Sequence, residues 1–138
     1  MTVADALRAF RAANGIPTVE ANTWPCKVGP VTLRLPNFAW RRRAILAHDL
    51  HHVLMEIPCT MGGECRMAAW EFGAGRMPHW GAALFCLPLA AIGALLRPHA
   101  TLAAFRDGRR SRSLHGADTI EDILRMPLAV GRRSIRRN

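Results

Sequence analysis

Apolar positions recur at helical spacing through most of this chain, and turn residues cut the pattern into a handful of helices. Thr2 to Asn14 reads as an amphipathic helix that carries Asp5 and Arg8 and is closed by Gly15. Between Cys26 and Leu35 the period changes: Val31, Leu33 and Leu35 alternate, which predicts one short strand or an extended arm. A longer helix runs from Phe38 to Met55, with Asn37 as its N-cap and Pro58 to end it. Thr60 then caps a second helix from Met61 to Gly73. Gly81 to Leu96 holds no charged residue. A helix of that length spans about 24 Å, short of a bilayer core of about 30 Å, and Pro88 and Gly93 interrupt it. A buried core helix is therefore the leading reading. His99 to Asp107 forms a short helix, and Asp118 with Glu121 makes a capping box for Thr119 to Met126. No internal repeat, βαβ alternation or Gly-rich phosphate loop is present. The pattern predicts a single all-α domain over residues 1–138, built around a central antiparallel helix hairpin.

That hairpin carries the chemistry. His48, Asp49, His52 and Glu64 read H-D-x-x-H followed, after eleven residues, by E. Histidines at i and i+4 stand one turn apart on the same helix face and can hold one metal ion between them. His52 lies about 7 Å from the end of its helix and Glu64 about 6 Å into the next. A hairpin therefore brings them to the same depth, and Gly62 and Gly63 would let the two backbones approach. Asp49 is a candidate fourth ligand, or a carboxylate orienting metal-bound water. Glu71 lies two turns beyond Glu64, at the depth of His48. It is a candidate ligand, orienter of a ligand histidine, or proton donor. His51 sits behind His48 on the wheel in a supporting position, and Glu56 continues the 48–52 stripe towards a solvated helix end.

These residues resemble the coenzyme Q biosynthesis protein 4 family, whose hallmark is H-D-x-x-H followed by E after eleven residues. The likeness includes Arg43, Ile57-Pro58, Thr60-Met61, Gly63-Glu64, Glu71 and Met77-Pro78, and covers about residues 41 to 86. Phe105, Gly108-Arg109 and the stretch from Asp122 to Ile135 are loosely similar to its closing segment. The chain departs from the family pattern at Ala44, where many members carry Tyr, and at Ala68, where many carry Lys; if those residues contact substrate in the family, the substrate here would differ. The resemblance implies ubiquinone biosynthesis and bound zinc. The expected reaction is loss of the C1 carboxylate from a polyprenylated hydroxybenzoate, with hydroxylation also associated with it. It equally implies a role in organising other quinone-biosynthesis enzymes. On the catalytic reading His48, Asp49, His52 and Glu64 hold the metal, and Asp49 or Glu71 supplies the proton. Zinc has no redox chemistry, so an oxidative reaction would call for iron, for which two histidines and a carboxylate are a familiar set. A lipid-binding scaffold with a purely structural metal is the alternative. A metallohydrolase with Asp49 as general base ranks last.

Composition narrows the partners. Half the residues are hydrophobic and 21% charged, which excludes a disordered chain. The net charge of +9 comes almost wholly from arginine. Arg106, Arg109, Arg110 and Arg112 form one cluster; Arg132, Arg133, Arg136 and Arg137 form another. No aromatics alternate with them as a stacking platform needs, so nucleic acid is not the expected partner. An anionic membrane surface is, at about 1 kcal/mol per basic residue near the lipid. An all-round apolar helix at 81–96 also needs company: a second subunit, a prenyl chain or a membrane face. Trp80 suits an interfacial anchor or a core position. No export signal is legible, and cysteines 26, 59, 65 and 86 form no C-x-x-C pair. The expectation is reduced, buried thiols in a cytoplasmic protein, peripheral at the inner face of the cell membrane if bacterial.

Overall fold

The computed structural model describes residues 1–17, 22–28, 31–75, 80–115 and 120–136. Met77-Pro78, Asp118, Thr119 and Arg137 fall outside that set, so the expectations placed on them are not taken further. The chain runs α1 (Val3–Ala13), β1 (Thr23–Val28), β2 (Val31–Pro36), α2 (Ala39–Met55), α3 (Met61–Ala74), α4 (Trp80–Leu96), α5 (Pro98–Arg109), α6 (Ile120–Arg125) and α7 (Leu128–Ser134). It is the expected all-α class with one small addition. Where one strand or arm was expected, β1 and β2 pair antiparallel, from Thr23 opposite Pro36 to Val28 opposite Val31. All six β2 residues are exposed.

Local chemistry explains the helix ends. Thr2 and Asp5 form a reciprocal capping box on α1. Thr60 Oγ1 accepts from Gly63 N at 3.2 Å, the predicted cap of α3. Asn37 is not the cap of α2: Phe38 takes that position without a side-chain bond. The buried Asn37 side chain instead accepts from Arg41 Nη1 at 2.9 Å. The last turn of α2 closes at Glu56 in the left-handed region, two residues before Pro58.

Two hydrophobic clusters form the core among the described residues. One joins α1, α2 and the C-terminal elements through Val3, Leu7, Leu50, Leu54, Ile120 and Ile135. The other joins α3 and α5 through Met67, Trp70, Ala74 and Ala104. Each fully buried Leu or Ile contributes roughly 1.5–3 kcal/mol. The chain ends are tied in as well. Val3 N donates to Met126 O at 2.9 Å, and Arg112 N donates to Ile135 O.

The central hairpin differs in one respect from the expected one. α3 packs most closely on α5, not on α2. A Cβ added to Gly73 would meet Phe105 O at 2.1 Å, and one added to Gly108 would meet Trp70 O at 2.1 Å. Only glycines at both places let these backbones touch. Gly62 is open to solvent and Gly63 fits against the Pro58 carbonyl inside the turn, so neither draws α2 and α3 together. Long polar side chains fill the α2–α3 gap instead. α4 runs unbroken through Pro88, and its residues are not wholly buried: Trp80, Leu84, Leu87, Leu95 and Leu96 stand exposed. Among the described residues, no helix is long and apolar enough to cross a membrane.

Candidate metal centre

α2 presents His48 and His52 on one face, and Glu64 rises from the first turn of α3 opposite them. The three converge as their spacing predicts. His48 Nε2 and His52 Nε2 lie 3.1 Å apart. Glu64 Oε2 is 3.2 Å from His48 Nε2, and its Oε1 is 3.3 Å from His52 Nε2. Donor atoms bound tetrahedrally at 2.0–2.1 Å from one ion are separated by ~3.3 Å, so the spacing already suits a shared cation.

Tautomers decide what those atoms offer. His52 Nδ1 lies 2.8 Å from Ile57 O, and a carbonyl only accepts, so Nδ1 carries the proton. His48 Nδ1 lies 3.1 Å from Glu71 Oε1. Burial opposes a charge on Glu71, but the hydrogen bonds from His115, His48 and His51 outweigh it and hold the carboxyl well below its ordinary value. Glu71 is therefore a pure acceptor, and His48 Nδ1 is a donor. Both Nε2 lone pairs then face each other and the Glu64 carboxylate. Three electron-rich atoms at that distance require a cation among them. Without a metal, a proton on His48 serves: burial disfavours it, yet Glu64 and Glu71 raise the group to about 10. Glu64 is likewise held down by the two histidines against the opposing effect of burial.

A second cluster uses the same residue types to a different end. His51, Glu71 and His115 are all buried, with Glu71 Oε1 at 2.7 Å from His51 Nδ1 and 3.1 Å from His115 Nε2. Leu114 N donates to His51 Nε2 at 2.9 Å, which fixes Nδ1 as the protonated nitrogen. Burial keeps His51 neutral, lowering it to about 4 despite the neighbouring carboxylate. Both His51 nitrogens are thus used, and Glu71 already has three N–H donors. This group is a hydrogen-bonded cage, not a metal site. It makes Glu71 the orienter of His48, the middle of the three roles its position allowed.

Asp49 departs from expectation. One residue after His48 it is turned about 100° around the helix, and it is absent from both convergent groups among the described residues. Arg11 of α1 claims it, Nε and Nη2 each at 2.8 Å from Oδ2. Burial raises the Asp49 carboxyl more than Arg11 lowers it. Asp49 therefore joins α1 to α2. The fourth-ligand, water-orienting and proton-donor roles expected of it have no geometric support. Glu56 pairs with Arg132 at 3.1 Å on the surface. Cys59 is exposed, not buried as expected, while Cys65 is buried and Cys86 half-buried. Cys86 Sγ sits 3.5 Å from Glu71 Oε2, and burial with that carboxylate pushes its thiol up to about 12.

Beside His48 and Glu64 opens a cavity of about 230 Å³. Trp40, Ala44, Ile45 and Leu89 form its apolar wall; His48, Glu64, Glu71, Cys86 and His115 form its polar end, with Arg41 also in the lining. Arg41 packs its guanidinium 4.0 Å over the Trp24 ring, linking the cavity wall to the hairpin. Ala44, one of the two departures from the family pattern, thus faces this space. His115 was not foreseen: it lies in an aperiodic loop, and only the backbone bonds of residues 111–114 bring it to Glu71.

Comparison with protein-family models, with curated proteins and with solved structures gives no match for this chain.

Proposed function

We propose that this protein is a metal-dependent enzyme of ubiquinone-type biosynthesis that removes the C1 carboxylate from a prenylated hydroxybenzoate. The observation that carries the reading is that two of the three donors, His48 and Glu64, line a largely apolar cavity. A metal that only braced a fold would have all its positions closed by protein ligands, whereas a catalytic one keeps a position open. His48, His52 and Glu64 would hold the ion, and Glu71 would set the ring plane of His48. A divalent ion bound there supplies a Lewis acid for the carboxylate or phenolate, zinc sufficing for simple decarboxylation and iron for an oxidative one.

The remaining residues suit the substrate. Trp40, Ile45 and Leu89 give an aromatic ring an apolar bed, and Arg41 provides a positive charge for its carboxylate. The cavity is smaller than the ~300–1,000 Å³ of ordinary ligand sites. It takes a ring but not a long tail, and the exposed apolar side of α4, which also supplies Leu89 and Cys86, offers a path for that tail. The same exposed side supports the second reading, a scaffold that presents prenylated intermediates to partner enzymes. The resemblance to the coenzyme Q biosynthesis protein 4 family is consistent with either.

Metal analysis of the purified protein, then aerobic and anaerobic incubation with a geranylated hydroxybenzoate, tests the proposal. Carbon dioxide release by the metal-loaded protein is expected, with none from His48→Ala. Full complementation of a ubiquinone-deficient strain by His48→Ala would favour the scaffold.

A further inference from the structure

The β1–β2 hairpin has no part in the metal centre, yet it is built with two unlike faces. Side chains alternate along a strand, so Val31, Leu33 and Leu35 share one face of β2, and they are 54%, 46% and 37% exposed. Trp24 is paired opposite Leu35 and belongs to the same face. Thr32 and Arg34 take the other. Among the described residues no helix packs closely on the hairpin. The contacts that hold it lie at its base, where Asn37 N donates to Asn22 O at 2.8 Å and Arg41 covers the Trp24 ring. A two-stranded hairpin is marginal by itself in water, and this one turns its apolar face to solvent. Such a face calls for a partner.

Charge selects the partner. From Asn22 to His48 the chain carries five basic residues, Lys27, Arg34, Arg41, Arg42 and Arg43, and no acidic one. A second copy docked hairpin to hairpin would set like charge against like. An anionic lipid surface answers both features: its phosphates attract the basic residues, and its headgroup boundary accepts apolar side chains with tryptophan among them. We infer that the β1–β2 hairpin is a membrane-docking element, which lays Val31, Leu33 and Leu35 into the headgroup boundary of an anionic bilayer. This surface is distinct from α4 and from the arginine clusters in α5 and α7, and it does not depend on the reaction proposed above. Arg34 stands on the far face of a ribbon only two strands wide. With strands about 4.8 Å apart, a side chain of that length reaches round the edge towards lipid phosphate. Arg41 lines the cavity as well as covering Trp24, so docking here brings the cavity wall to the lipid, where prenylated compounds partition.

The test uses phosphatidylcholine vesicles doped with phosphatidylglycerol. The double variant Val31→Ser with Leu33→Ser keeps every charge, so a loss of binding in it is a loss of apolar contact. Its partition coefficient should fall roughly tenfold or more. Arg34→Gln should lower the coefficient roughly fivefold at low salt, the effect of one basic residue near the surface. Circular dichroism and metal content should match the parent protein in both, since the hairpin stands apart from the helices. Hydrogen exchange on the unaltered protein gives a readout that needs no variant: the amides of Val31 to Leu35 should exchange more slowly once the vesicles are added. Slowed exchange there, together with weakened binding of the double variant, supports the docking. Binding of the double variant within twofold of the parent, unchanged exchange in β2 at saturating lipid, or no binding of the parent to these vesicles overturns it. A parent that is dimeric in solution, with the double variant monomeric, overturns it in favour of a second copy on this face.

Discussion

Glu71→Gln separates an orienting carboxylate from a ligand. Glu71 Oε1 receives His51 Nδ1 at 2.7 Å and His48 Nδ1 and His115 Nε2 at 3.1 Å each. A glutamine can place its carbonyl oxygen there and turn its amide towards Cys86, so all three bonds survive as neutral ones. Hydrogen bonds to a charged group contribute about 1.5–3 kcal/mol against about 1 for neutral pairs. Three such losses amount to roughly 3 kcal/mol, and relief from burying a charge offsets part of that. A net loss of about 2 kcal/mol in urea unfolding of the metal-free protein is expected. For the metal the consequence is narrower. His48 keeps an acceptor for Nδ1–H but loses the charge that makes its Nε2 a strong donor, and such changes weaken affinity about 10–100-fold. Chelator competition should find zinc still bound, at one ion per chain, with its dissociation constant raised by that factor. Unchanged affinity would show that Glu71 does not act on His48; loss of the ion beyond about 10⁴-fold would make Glu71 a ligand and refute the orientation derived from the tautomers.

Asp49→Asn should leave zinc stoichiometry intact while destabilising the fold by about 3 kcal/mol, the scale for breaking a buried ion pair; equilibrium unfolding with metal analysis checks both, and a lost ion would restore Asp49 as a ligand. The metal-free protein should be most stable near pH 6.5. His51, lowered to about 4, contributes stability that is present above 6.5 and lost as pH falls towards 4; His48, raised to about 10, contributes stability present below 6.5 and lost as pH rises towards 10. Glu64 and Glu71 add to the acid-side loss below about 4.5, and Asp49, raised above 3.8, opposes it. Urea midpoints at successive pH values measure this, and a monotonic profile would contradict it. Flotation with vesicles should show binding to anionic but not neutral lipid, reversed by salt, because exposed arginine charges are screened over about 8 Å at physiological ionic strength; binding that resists both salt and carbonate would indicate insertion instead.

Periodicity made the donor set legible. His48 and His52 share a face at i,i+4, and a helix rise of 1.5 Å per residue sufficed to match Glu64 to His52 and Glu71 to His48. The same rule shows why Asp49 was misplaced: its neighbour in sequence is the candidate ligand His48, but its neighbour in space is Arg11, 38 residues away. No period marks the position of α1 against α2. The β1 strand was hidden for a related reason, since Pro25 and Lys27 break any alternation and only pairing with β2 makes the segment extended. His115 lay further beyond reach, 44 residues from the carboxylate it meets. α4 was misjudged because uniform apolarity states that a helix avoids water, not which neighbours will cover it. Here α3 and α5 cover one side, leaving Trp80, Leu84 and Leu95 bare.

Residue type alone does not distinguish the two histidine–glutamate clusters; proton bookkeeping does. In the His51–Glu71–His115 group every N–H that faces the carboxylate is a donor, so the charge is answered from within and an added cation would have to displace a proton. In the His48–His52–Glu64 group the protons are drawn to the far side of both rings, one by Glu71 and one by the Ile57 carbonyl. The near side then offers two nitrogens and a carboxylate to one cation, which without a metal is a proton on His48 Nε2. The first cluster is therefore the support of the second: removing a proton from His48 Nε2 is possible because Glu71 holds the other one at Nδ1, and Glu71 can do so because His51 and His115 hold Glu71. A metal entering the outer group should accordingly release about one proton from His48 at neutral pH, since that nitrogen carries one when the metal is absent. Zinc titration in weakly buffered solution with a pH indicator measures it. Binding without proton release would mean that His48 Nε2 is not a ligand, and the inner cluster would then be supporting nothing.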